Sequence, residues 1–115
     1  MEFREYYSIL EYASRLREEE FLKDDDLKSK VREVINDMLN LIFKLASNLV
    51  EGRGEDLIWN LVKGGVIQAP LAQELLDIVK LTKSSPDDLL YASLVRVMED
   101  IEEAYHTIKS RINNS

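Results

Sequence analysis

The chain has 115 residues, with 15 Lys and Arg against 22 Asp and Glu, for a net charge of −7. That length suits one domain over 1–115 with a core of its own, and the absence of cysteine excludes disulfide frameworks, thiolate metal sites and cysteine nucleophiles. No apolar run exceeds four residues, so no membrane span is expected, and the acidic balance disfavours non-specific binding to a polyanion.

The first stretch, about 2–22, spaces Phe3, Tyr6, Leu10, Ala13 and Leu16 three or four apart, one face of a helix. Glu2, Arg4 and Glu5 stand where a signal segment would have to be apolar, so a cytoplasmic location is expected. Any of Asp24, Asp25 and Asp26 can cap the next helix, 27–50. In it Val31, Ile35, Met38, Ile42, Leu45 and Leu49 alternate gaps of four and three, a heptad seam. Val34, Leu39, Leu41, Phe43 and Ala46 widen the seam, which predicts a central helix or one that also meets another subunit.

Gly52 and Gly54 end that helix, and a short one follows over 55–63, acidic at its start and basic at its end. Gly64 and Gly65 stop it, and a fourth begins near Pro70 and runs to about Thr82. Ser85 as cap, Pro86 as first helical residue and Asp88 reaching back then predict the start of the last helix. Its Tyr91, Leu94, Met98, Ile101, Tyr105, Ile108 and Ile112 form a second seam, roughly 40 Å long at about 1.5 Å per residue. With no period-two stretch, the fold class is all-α: an antiparallel helical bundle of about five helices, three long and two short.

The acidic runs at 18–20 and 24–26 lack the alternation of a calcium loop and read as solvated helix ends, so no metal and no cofactor is expected. His106 reads as a surface histidine, or as an acid or base oriented by Glu102 or Glu103. Trp59 lies off the clearest apolar face of its helix, which leaves an interface anchor and a residue packed beneath the 52–54 loop equally open. Among the basic residues only Lys80 and Lys83 cluster near a potential cleft, a weak phosphate site.

From Phe21 to about residue 110 the order of signals resembles the HEPN superfamily, and within it the HepT-like toxin ribonucleases of prokaryotic toxin–antitoxin pairs. The residues that carry the resemblance are Phe21, Leu22, Lys23 and Asp24 before a long helix, and the turn Gly64, Gly65, Val66 and Ile67. Leu71, Ala72, Gln73, Glu74 and Leu75, and the closing helix with Leu94, Met98 and Ile101, continue it. Active members carry an Arg-x-x-x-x-His motif whose Arg grips phosphate and whose His moves a proton. The resemblance places Thr82 and Asp87 at those two positions, and neither replaces what the motif needs.

The resemblance thus implies the fold and a homodimer, with Met38, Ile42, Leu45, Leu49 and Trp59 as the expected dimer interface. A small nucleotidyltransferase, the kind that neutralises such toxins, is the partner it implies. A divergent ribonuclease acting on RNA through Lys80, Lys83 and His106 is the enzymatic alternative. A nucleotide-binding bundle with a polar pocket near Arg53, Thr82 and Lys83 is a third.

Overall fold

The structure, a computed structural model, describes residues 2–114. Six helices form: α1 (Phe3–Arg15), α2 (Glu18–Lys23), α3 (Asp25–Ala46), α4 (Glu55–Lys63), α5 (Ala69–Ser84) and α6 (Asp87–Asn113). No strand occurs among the described residues, and none of their helices is long and apolar enough to cross a membrane.

The expected first helix, 2–22, is two helices. The chain turns extended at Leu16 and Arg17, with ψ of 155° and 153°. Local capping explains the break: the Glu20 carboxylate accepts from the Arg17 backbone N–H and from its Nε, each at 3.2 Å. The Tyr91 hydroxyl donates to the Leu16 carbonyl, satisfying an acceptor that the end of α1 leaves free. The turn drives Phe21 fully into the core, its ring 5.4 Å from that of Tyr91. Burying a side chain of that size contributes roughly 1.5–3 kcal/mol, which offsets part of the helical bonding lost at the break.

Asp24 caps α3, its carboxylate accepting from the Leu27 N–H at 3.0 Å. The helix ends at Ala46, four residues short of the expected 50. Ser47 and Asn48 donate their side chains to the Lys44 carbonyl, and Asn48 also to that of Leu45, which competes with continued helical bonding. α3 packs against each of the other five helices. The wide apolar arc therefore finds its neighbours within one chain: Val31, Val34, Ile35, Met38, Leu39, Ile42 and Ala46 are all buried. α6 packs against it and buries Leu94, Met98, Ile101 and Ile108 of its seam in the shared core, and α1 and α5 pack on α3 as well.

The α5–α6 corner is tighter than expected. Only Ser85 and Pro86 separate the helices, both extended, with ψ of 151° and 154°. The residue before a proline is pushed out of the helical region, so Ser85 cannot continue α5. Its hydroxyl turns back to the Leu81 carbonyl, Pro86 takes the cap position and Asp87 is the first residue of α6. Asp88 accepts from its neighbour Leu89 at 2.9 Å rather than reaching back to Ser85.

Candidate functional site

Three places gather charged or aromatic side chains. The first is the α5–α6 corner, where Arg32 of α3 reaches across. Its guanidinium donates to the Leu81 carbonyl at 3.1 Å, the Ser85 carbonyl at 2.8 Å and the Asp87 carboxylate at 3.0 Å. Lys28, one turn earlier, bridges Asp25 at 3.0 Å and Asp87 at 3.2 Å. Hydrogen bonds from Arg32 and then Lys28 hold the Asp87 carboxyl below the usual carboxylate range. Bonds to Asp25 and then Asp87 raise the Lys28 ammonium above its ordinary value. Asp87 is thus committed to holding a helix corner. Thr82, the other motif position, is half-buried and donates its hydroxyl to the Val79 carbonyl at 2.8 Å.

The second is a groove of about 430 Å³ between α5 and α6. Asp100 faces into it and, at 8% exposure, is the one buried charged residue among those described. Its Oδ2 is sealed from solvent with no donor beside it. Burial pushes this carboxyl up to about 7, and hydrogen bonding with Glu74 of α5 and the Glu74 charge add to the rise. Glu103 raises it further and Arg96 opposes it. Burial and the neighbouring Glu74 carboxylate both favour the protonated form of Asp100. Arg96 pairs with Glu74 at 3.6 Å, but its side chain is 76% exposed, which makes this a weak, solvated contact.

The third is a groove of about 680 Å³ between the start of α1 and the end of α6. Phe3 stacks on Tyr105 with centroids 4.0 Å apart, and His106 meets Phe3 edge-on at 6.3 Å. Lys109 donates to the Tyr105 hydroxyl at 3.3 Å. Burial, then the charges of Glu102, Glu11 and Glu99, raises the nearby Tyr7 hydroxyl above its usual value. Glu102 lines the groove beside His106; among the described residues no hydrogen bond orients the imidazole.

These placements sort the expected site residues. Lys80 and Lys83 are exposed at the corner end of α5, Lys80 on the rim of the α5–α6 groove. His106 lies twenty residues along α6 from that corner, roughly 30 Å at about 1.5 Å per residue, so one chain does not bring the three together. Arg53, Thr82 and Lys83 line neither of these two grooves. Met38 and Ile42 are fully buried within the chain and have no surface to give a second subunit, because α3 needs them for its own neighbours. Leu45 and Leu49 are half-buried and Trp59 keeps 38% of its surface, so these three remain as interface candidates. No group of three or more His, Cys, Asp or Glu among the described residues is placed to hold a metal.

Asp100 and Arg32 carry the two polar arrangements that the residue pattern did not single out. The signal for Asp100 was present: it stands three residues after Val97 and four before Ala104, a carboxylate on the buried stripe. Arg32 had none, since its partners are backbone carbonyls and an aspartate about fifty residues away.

No family model, no curated protein and no solved structure matches the chain.

Proposed function

We propose that this chain is a non-catalytic, HEPN-like interaction module that acts as a homodimer and docks a protein partner, a small nucleotidyltransferase being the kind the resemblance implies. The observation that carries the reading is the clamp on Asp87. The position at which the ribonuclease motif would place its proton-handling histidine holds a carboxylate consumed by Arg32 and Lys28. A carboxylate there repels the phosphate that an active site has to attract. Thr82, at the arginine position, brings no charge and spends its hydroxyl on its own helix.

The dimer reading rests on what the monomer leaves over. Trp59 with Leu45 and Leu49 supplies apolar surface near the α3–α4 connection, and a large aromatic is the side chain best suited to anchor an interface. Sedimentation equilibrium tests the assembly. The wild type is expected at twice its 13.3 kDa chain mass and Trp59→Ala is expected to shift toward the single chain. A wild type that stays monomeric at high micromolar concentration refutes the dimer.

A further inference from the structure

We propose that the α5–α6 groove is a binding site for a small organic cation, an alkylammonium or guanidinium head on an apolar stem, whose head is received by Asp100 and Glu74. The starting point is the Asp100 Oδ2, a buried acceptor with no donor. Such an atom costs about 1–3 kcal/mol unless something supplies a hydrogen. In the empty groove burial offsets part of that cost by holding a proton on the Asp100 carboxyl. An ammonium carries three donors and a positive charge, so it satisfies both carboxylates at once and takes the proton's place.

The surroundings select the ligand class. Three carboxylates, Glu74, Asp77 and Asp100, line the groove against two cations, Lys80 and Arg96, and the balance disfavours an anion. A calcium ion asks for about six to eight oxygen ligands, and no such cluster forms among the described residues. Ile78, Leu81, Leu89 and Val97 give the groove an apolar strip beside the polar Ser84, Ser93, Lys80 and Arg96. Leu89 is 50% exposed on α6, a large apolar side chain for a stem to cover. The volume of about 430 Å³ falls in the range of small-molecule sites, roughly 300–1,000 Å³. Arg96 is the competing cation, and its long contact to Glu74 on an exposed side chain yields readily to a better-placed head.

Because the head displaces a proton, binding is linked to pH. The cation enters, the proton leaves Asp100 for solvent, and charge is conserved in the site. The charged groups facing the carboxyl pair are Glu74, Asp77 and Lys80 from α5 and Arg96 and Glu103 from α6, with Arg32 of α3 at the corner end. None is a histidine; His106 is at the far end of α6. With Asp100 near 7, the ionised fraction rises about tenfold between pH 6 and pH 8, and affinity follows it.

The experiment is an amide NMR titration of the purified chain with n-hexylammonium chloride, and with n-hexanol as the uncharged counterpart, at pH 6 and pH 8. Hexylammonium is expected to shift amides of 74–81 and 89–100, about tenfold more tightly at pH 8, while hexanol leaves them in place. Asp100→Asn is expected to weaken binding at pH 8 about tenfold and to remove the pH dependence. Glu74→Gln, at a half-exposed position that tolerates the change, weakens it as well. Equal binding of hexanol, equal affinity at the two pH values, shifts located elsewhere, or unaltered binding by both variants each overturns the assignment.

Discussion

Replacing Asp100 by Asn separates the cost of a buried carboxylate from everything else in the bundle. A carboxyl lifted from 3.8 to about 7 by burial, and then by Glu74, is held more tightly as the acid in the folded chain than in the unfolded one. Between about pH 4 and pH 7 the folded chain therefore binds the extra proton, and stability falls as the pH rises through that window. At about 1.36 kcal/mol per pH unit the full loss is at most about 4 kcal/mol, of which about 2–3 kcal/mol falls between pH 5 and pH 8. Against a typical total of about 5–15 kcal/mol this is a large fraction.

Asparagine has the shape of the protonated acid and donates a hydrogen to Glu74 without titrating. Urea unfolding followed by helical circular dichroism at pH 5, 6, 7 and 8 reads the difference. The wild type is expected to lose about 2–3 kcal/mol relative to Asp100→Asn across the series, and the variant to be the more stable protein at pH 8. Glu74→Gln should move the fall to lower pH, since it removes a charge that raises the Asp100 carboxyl; the fall persists because burial is the leading cause. Parallel stability curves for wild type and Asp100→Asn would refute the reasoning.

Arg32→Ala is expected to lose about 2–3 kcal/mol in the same urea assay, because the Leu81 and Ser85 carbonyls lose their charged donor; Arg32→Lys should recover little, since an ammonium does not span these separated acceptors. Gly52→Ala is expected to lower the melting temperature: the residue has φ of +115° and an added Cβ would stand 2.8 Å from Asn60 Nδ2, which donates to the Glu51 carbonyl. A melting temperature within a degree of wild type would contradict that.

Much of the fold was legible because periodicity reports burial. Val31, Ile35, Met38 and Ile42 on one stripe and Leu94, Met98, Ile101 and Ile108 on the other are where three-and-four spacing puts them, and all are buried. What spacing could not distinguish was a stripe that meets another chain from one that meets its own. Met38 and Ile42, expected at a dimer interface, are buried within the chain because five helices pack against α3. The break at Leu16 was hidden for a different reason: apolar spacing runs through it, and the turn is made by Glu20 and Tyr91, a local cap and a contact from across the chain. Pro86 predicts the α5–α6 corner, but nothing local predicts the role of Asp87, since Lys28 and Arg32 come from another helix.

The claim that the motif positions serve the fold instead of cutting RNA is tested most directly by incubating the purified chain, at micromolar concentration and with EDTA present, with a labelled single-stranded RNA and resolving the products on a gel. The account predicts RNA of unchanged length after hours, for the wild type and for His106→Ala alike. Discrete cleavage by the wild type that disappears in Asp87→Ala or His106→Ala would contradict it.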